Sequence, residues 1–350
     1  MNLQTSRRGR VRIVALAVAI GLLMTGCASD APQSVLEPAG EAARKADGLW
    51  NLTFSIAVAV FVFVQAALIY SIIRYRAKPG REARQFEGNA RLEVILTVIP
   101  ALILAAIAVP TIGTIFDLAA EPKGDDVLQV TVQGRQFWWM YEYPDLDVVT
   151  ANELHIPVGT PVNLTIEGYD VNHSFWVPRL AGAQDVVPGR VNRLTLEADE
   201  PGTYRGQCKE FCGLSHANMA LRVIAHEPAA FETWIAEQEQ PAAKPAGVLA
   251  AEGAKLFVNG SGDGQFADGA ACASCHAIEG LDGALGVIGP NLTHLQSRKT
   301  FAAGLFKTNE ANLRAWLADP PARKPGSQMP DVGLTEGQID SLVAYLETLE

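Results

Sequence analysis

Cysteine is scarce in this chain, with five residues in 350. An odd count that low excludes a framework held by disulfides alone. Charge is sparse as well: Asp, Glu, Lys and Arg make up 19%, and the balance is acidic at −10. With no basic excess, nucleic acid is not the expected partner, and an acidic exported surface draws basic soluble proteins instead. What is abundant is apolar, 49% of residues, which suits a globular chain with some membrane-buried length. The length allows two or three domains.

The few cysteines are clustered. Cys208-Lys-Glu-Phe-Cys212-Gly-Leu-Ser-His216-Ala-Asn-Met219 sets two thiols four apart, an imidazole four later and a thioether three beyond. Sulfur with imidazole suits copper or zinc, whereas magnesium and calcium take carboxylates. A second imidazole stands upstream in Asp170-Val-Asn-His173-Ser-Phe-Trp-Val-Pro178. Together these residues hold one thiolate more than a mononuclear blue-copper site needs. A pair of copper ions bridged by both thiolates would use them all, with Met219 and a backbone carbonyl as weak extra ligands. A Cys2His2 structural zinc is the competing reading, and it leaves Met219 without a role.

Membrane signals precede this block. Arg7, Arg8, Arg10 and Arg12 lead into an apolar run from Ile13 to Met24, too short to span a bilayer. Thr25-Gly26-Cys27 closes it, resembling a bacterial lipoprotein signal peptide over residues 1–26 with Cys27 as the lipidated N-terminus. Ordinary cleavage nearby, with Cys27 discarded, is the alternative. Leu49–Ile73 and Val94–Phe116 then run 25 and 23 residues without charge, roughly 37 and 34 Å as helix. The spacing predicts transmembrane helices over about 49–75 and 92–116. Arg74, Arg76, Lys78, Arg81, Arg84 and Arg91 lie between them, which puts that loop in the cytoplasm and both long ends outside. Glu93 sits at the mouth of the second span, where a carboxylate marks a proton or ion path or snorkels to the interface. Pro100 and Pro110 predict kinks in that helix.

From Val127 the pattern alternates, with Leu128, Val130 and Val132 on one side. Strand-like runs recur at 161–166, 172–177, 193–196 and 221–224, punctuated by Pro157-Val-Gly159, Pro188-Gly189 and Glu200-Pro201-Gly202. This predicts an antiparallel β-sandwich of about 100 residues, with the ligand loops gathered at one end. Residues 229–240 read as a short amphipathic helix carrying Phe231, Trp234 and Ile235 on one face. Pro241–Val248 reads as a semi-rigid linker.

Beyond the linker, Cys272-Ala-Ser-Cys275-His276 has the attachment spacing of a c-type haem. Two thiols form thioethers, and the adjacent imidazole reaches the iron. After His276 the remaining candidates for a sixth ligand are Met329 and His294. Met329 occupies a loop between helices expected around 312–318 and 335–349, which favours it, and Met/His ligation raises the potential. The Gly289-Pro-Asn-Leu292 segment before His294 resembles the one on the proximal side of class I cytochromes c. Asn259–Gly269 reads as a surface loop.

Residues 170–178, Ala181-Gly182, Asp185-Val-Val-Pro-Gly-Arg190, the Cys208–Met219 block, the hairpin and Gly134-Arg-Gln-Phe-Trp-Trp-Met-Tyr-Glu-Tyr143 resemble subunit II of the haem–copper cytochrome c oxidases. The resemblance implies a multidomain chain: a transmembrane α-helical hairpin (27–120), a cupredoxin-like Greek-key β-sandwich (121–240), a linker (241–248) and an all-α class I cytochrome c domain (249–350). It implies that His173, Cys208, Cys212, His216 and Met219 hold a binuclear copper centre. Glu210 would give copper its carbonyl and give its carboxylate to a magnesium ion shared with subunit I. Glu93 would open a proton path. Phe137 falls where the family has its electron-entry tryptophan, and Trp138 and Trp139 follow it. Leu96 replaces another family tryptophan. Asp185 and nearby acids are candidates for a docking face for the haem domain. The implied partners are subunit I, the other oxidase subunits, membrane lipid and an electron donor, either a quinol–cytochrome c reductase or a cytochrome c. The location would be the bacterial cell membrane, multi-pass, with both redox domains on the periplasmic or extracellular side. The implied function is electron delivery from haem through copper to subunit I of a proton-pumping oxidase that reduces oxygen to water. Quinol oxidases are similar but lack the copper ligands. The rival of a different class is a membrane-tethered electron carrier with no oxidase partner.

Overall fold

The computed structural model describes residues 31–77, 79–80, 87–124, 126–260 and 271–350, with positions 16 and 18. The expected signal peptide, Cys27, part of the basic loop and most of the 259–269 loop lie outside the described residues.

Two long helices come first, α1 (Glu41–Arg74) and α2 (Ala90–Ala119). Both are apolar and long enough to cross a membrane, and their central stretches carry no buried residue, as lipid-facing segments require. α1 begins ahead of the charge-free run: Ala43 is buried and its amide donates to the Leu180 carbonyl at 3.2 Å, and Glu41 and Lys45 pair one turn apart at 2.9 Å, which supports a polar first turn. α2 starts on an Asn89 cap and continues through Pro100 and Pro110. The segment before α1 is strapped to the exported domain: the Ala39 amide donates to the Arg179 carbonyl at 2.7 Å, and the Asp199 amide to the Ala39 carbonyl at 2.9 Å.

The exported β domain has ten strands in two sheets. They are β1 (Leu128–Arg135), β2 (Trp138–Tyr143), β3 (Val148–Ala151), β4 (Glu153–Pro157), β5 (Val162–Gly168), β6 (His173–Trp176), β7 (Gln184–Val186), β8 (Val191–Leu196), β9 (Gly202–Cys208) and β10 (Ala220–His226). One sheet runs β3-β2-β1-β5-β8 and the other β4-β10-β9-β6-β7. Alternation decides which face is inside: Val130, Val132, Leu164 and Ile166 point inward and are buried, with Val130 opposite Leu164 and Val132 opposite Ile166. Each buried side chain of this size contributes about 1.5–3 kcal/mol. The sandwich is not purely antiparallel as expected, since β1 pairs with β5 and β4 with β10 in parallel. A period of two is the same for either direction, so the pattern does not encode it. The helix expected at 229–240 is α3 (Pro228–Gln238), and Phe231, Trp234 and Ile235 are all buried.

The C-terminal domain packs α4 (Val248–Asn259) against α7 (Glu336–Leu346), with α5 (Glu310–Ala318) and α6 (Pro320–Arg323) between them in sequence. Phe257 meets Tyr345 edge-on at 6.1 Å at the α4–α7 crossing. Its helical character is interrupted by a two-residue ladder of Thr300–Phe301 with Phe306–Lys307 and by a single bridge of Ala277 with Leu285. The linker is fastened down rather than free: the Ala242 amide donates to the Glu279 carbonyl at 2.9 Å.

Candidate metal centre and haem site

Strand pairing explains how distant residues meet. β6 lies antiparallel to β9 with Phe175 opposite Cys208, so His173 and Cys208 emerge at the same end of the sheet. The loop from Cys208 to Met219 is closed at its base by the Cys208 amide donating to the Met219 carbonyl at 2.9 Å. A 3-10 turn, His216–Asn218, folds it back.

The result is a compact sulfur–imidazole cluster. Cys208 Sγ and Cys212 Sγ are 3.9 Å apart. His173 Nδ1 lies 3.9 Å from Cys208 Sγ, and His216 Nδ1 lies 3.7 Å from Cys212 Sγ. Met219 Sδ is 3.8 Å from Cys212 Sγ, and the Glu210 carbonyl is 3.2 Å from Cys208 Sγ. His173 and Met219 are fully buried and both thiols nearly so. The two sulfurs share protons unequally. The hydrogen bond from Cys212, helped by His173, pulls Cys208 down to about 4 despite burial, while the neighbouring thiolate and burial push Cys212 up. Burial disfavours a charged His173, but Asp170 and Cys208 outweigh it and the net direction is up.

This donor set fits copper better than zinc. Four tetrahedral ligands would satisfy zinc, yet here a buried thioether and a carbonyl oxygen also aim at the cluster. Soft thiolates with imidazoles and a long thioether suit copper.

Three residues that sequence reasoning passed over support the cluster. Asp170 Oδ1 accepts from His173 Nε2 at 2.8 Å, which fixes the tautomer that leaves Nδ1 free toward the sulfurs. Gln136 Nε2 donates to the Cys212 carbonyl at 2.5 Å. Ser215 Oγ, fully buried as a residue, donates to the Pro325 carbonyl of the C-terminal domain at 2.6 Å. A carboxylate three residues before an imidazole at a strand start was the one available signal. Asp170→Asn is expected to weaken copper retention about 10–100-fold while the ligands remain, measured by copper content after dialysis against a graded chelator.

The aromatic run separates into distinct environments. Trp139 is fully buried and meets His173 edge-on, centroids 6.0 Å apart. Trp138 lies under the Arg135 guanidinium at 5.3 Å. Phe137 is buried at the boundary with the C-terminal domain. Glu93 is exposed in the first turn of α2.

In the C-terminal domain, Cys272–Ser274 forms a 3-10 turn that presents the Cys-X-X-Cys-His motif. His276 Nδ1 donates to the Pro290 carbonyl at 2.8 Å, leaving Nε2 for an iron, and that second contact is what a haem ligand needs. Gly289 lets the chain pass closely, since a Cβ there would sit 2.5 Å from His276 Cε1. Trp316 Nε1 donates to Met329 Sδ at 3.1 Å, orienting the thioether. His294 is engaged at both nitrogens, with Nδ1 2.6 Å from the Glu350 carbonyl and Nε2 2.9 Å from the Gln240 carbonyl. These residues fit a covalent haem.

Family models for the cytochrome c oxidase subunit II transmembrane domain, its periplasmic domain and cytochrome c match residues 32–113, 146–226 and 250–350. Cytochrome c oxidase subunit 2 of Alkalihalophilus pseudofirmus is 36% identical, covering 94% of both chains. That of a Bacillus species is 35% identical, covering 97% of both. The chain belongs to the cytochrome c oxidase subunit II family. Proteins of this family are components of the haem–copper oxidase complex, and this member carries a cytochrome c domain. It is membrane-anchored, with a periplasmic domain. Quinol oxidase subunit 2 of Bacillus anthracis is also similar, 30% identical over 65% of this chain and 80% of that protein.

Proposed function

We propose that this chain is the electron-entry subunit of a proton-pumping cytochrome c oxidase. Cys272 and Cys275 would attach one haem c, and His276 and Met329 would ligate its iron. His173, Cys208, Cys212, His216, Met219 and the Glu210 carbonyl hold two copper ions. Each group, when bound, supplies a one-electron couple. The convergence of two thiols, two imidazole Nδ1 atoms, one thioether and one carbonyl carries this reading.

The chain's own part is to hold and orient. Both cysteines lie on one loop closed by backbone bonds, so the cage stays rigid when its charge changes. Asp170 and Pro290 set the two imidazole tautomers. Burial of Met219 and His173 excludes water from the copper side. Glu210 offers its carboxylate to a magnesium ion at the contact with subunit I. Glu93, at the head of α2, opens a proton path there. Oxygen is reduced to water in subunit I. The donor to the haem is a quinol–cytochrome c reductase or a soluble cytochrome. The hairpin crosses the bacterial membrane twice, with both redox domains outside, and Cys27 carries lipid after signal cleavage.

Purification in mild detergent tests this reading. A large haem-bearing partner is expected to co-purify with the chain and consume oxygen with reduced cytochrome c. A chain that purifies alone, with both redox groups present, would leave a tethered carrier as the better description.

A further inference from the structure

The C-terminal domain is held against the copper domain by an unusual set of contacts. Lys324 is almost fully buried, and its Nζ donates to the Phe137 carbonyl at 2.7 Å and to the Ala302 carbonyl at 3.0 Å. Arg135, also buried and lying over the Tyr169 ring at 4.1 Å, donates to the Val287 carbonyl at 2.5 Å. Glu153 has no exposed surface. It accepts from the Lys299 amide at 3.1 Å, the Thr300 amide at 3.0 Å and the Thr300 hydroxyl at 2.7 Å. Arg222 adds bonds to Thr300 Oγ1 and the Gly304 carbonyl.

Two features of this set matter. No ion pair crosses between the domains among the described residues; the cations reach carbonyls and the Thr300 hydroxyl, and the carboxylate reaches amides and that same hydroxyl. Asp185, an expected docking acid, makes no hydrogen bond or ion pair with the haem domain there. Buried contacts of this kind are screened by salt far less than exposed charge pairs. Burial also pulls Lys324 down to about 7, as expected of an amine removed from water.

The Phe137 ring lies where the two ligand loops meet. A Cβ added at Gly213, beside Cys212, would be 3.1 Å from Phe137 Cζ, and one at Gly326, three residues before Met329, would be 3.3 Å from Phe137 Cε2. Gly326 also adopts φ +83 and approaches Leu214, with an added Cβ 2.8 Å from Leu214 Cβ. Only glycine fits both requirements. The copper-ligand loop and the loop carrying Met329 thus touch directly, through Ser215 on the Pro325 carbonyl and Leu214 beside Gly326, with the Phe137 ring packed against both loops.

We infer that the edge formed by Phe137, Leu214 and Ser215 is a fixed seat for the chain's own 324–326 loop, with Arg135 holding the separate Val287 carbonyl beside it. The haem domain is thus a docked donor and not a swinging arm, and a soluble cytochrome is shut out from the copper site and must dock on the haem domain. Lys324 and Gly326 are positioning residues. The inference rests on the electron-entry reading above. The transfer they position is of one electron from haem to the copper pair, with no bond made or broken.

The test uses the full chain with haem and copper bound, comparing wild type, Lys324→Met and Gly326→Trp. In wild type, haem-to-copper electron transfer after rapid reduction is expected to change less than about twofold between about 0.01 and 0.5 M salt. Hydrogen exchange is expected to show the Lys299 and Thr300 amides as protected as those of β1. Gly326→Trp is expected to release those two amides, slow internal transfer at least about tenfold, and open the copper to direct, salt-dependent reduction by a basic soluble cytochrome. Lys324→Met provides a milder version of the same changes, with haem and copper spectra intact. Wild-type transfer that falls steeply with salt, or free exchange at Lys299 and Thr300, would overturn the seat while leaving the electron-entry reading standing. Absence of the copper or haem spectrum in wild type would instead sink that reading itself.

Discussion

Replacing Cys212 with serine is expected to leave the β domain folded but unable to hold a copper pair. Cys212 is the hub of the cluster: its sulfur is within 4 Å of Cys208 Sγ, His216 Nδ1 and Met219 Sδ. Copper favours thiolate over a neutral hydroxyl, so serine would remove the sulfur that lies between Cys208, His216 and Met219. The scaffold does not depend on this sulfur. Phe175, Leu154, Ile156, Tyr141 and Tyr143 are fully buried without it, and the loop base is closed by the Cys208–Met219 backbone bond. Copper content in the Cys212→Ser chain is expected to fall from two ions to one or none, with loss of the mixed-valence signal. Thermal unfolding of the copper-free proteins is expected to differ by less than about 1 kcal/mol. Retention of two coppers with the mixed-valence signal would remove Cys212 from the ligand set.

Gly253→Val is expected to unfold the haem domain at growth temperature. At the α4–α7 crossing a Cβ on Gly253 would land on the Ser341 carbonyl and within 2.8 Å of Tyr345 Cβ. The first neighbour is helix backbone, so the two helices must part to admit any side chain. Separation would also undo the Phe257–Tyr345 contact at the same crossing. Overpacking of this kind costs about 3 kcal/mol or more, which lowers the midpoint of a domain of this size by roughly 12–24 °C. Gly337→Ala is the matched control, because nothing lies within 4 Å of a Cβ there, and alanine in a helix is favoured over glycine. Haem absorbance and far-ultraviolet circular dichroism followed during heating read both variants. An unchanged midpoint in Gly253→Val would show that the crossing is looser than drawn.

The sequence carries the metal chemistry more plainly than the architecture that supports it. Cys208, Cys212, His216 and Met219 share one loop, so their spacing alone brings them together, and the Cys272–His276 motif is similarly local. His173 joins them only through the β6–β9 pairing, yet its strand-like surroundings still marked it. Asp170 stands only three residues before His173, but Gln136, Ser215 and Lys324 act through contacts made across 76 to 187 positions in the chain, and no periodicity announces a partner that far away. Likewise the parallel pairing of β1 with β5 follows from tertiary packing and not from alternation. The two long apolar helices fall within a few residues of the expected spans at three of their four ends, because hydropathy and length decide them directly. α1 extends further because its first turns rest on the β domain, with Ala43 buried and its amide bonded to the Leu180 carbonyl, and because Glu41 and Lys45 pair there.

Metal analysis combined with electron paramagnetic resonance on the purified full chain tests the central claim most directly. The account predicts two copper ions and one covalent haem per chain, with a mixed-valence copper signal delocalised over both ions in the oxidised protein. Zinc in place of copper, or a single copper with an ordinary mononuclear signal, would contradict it.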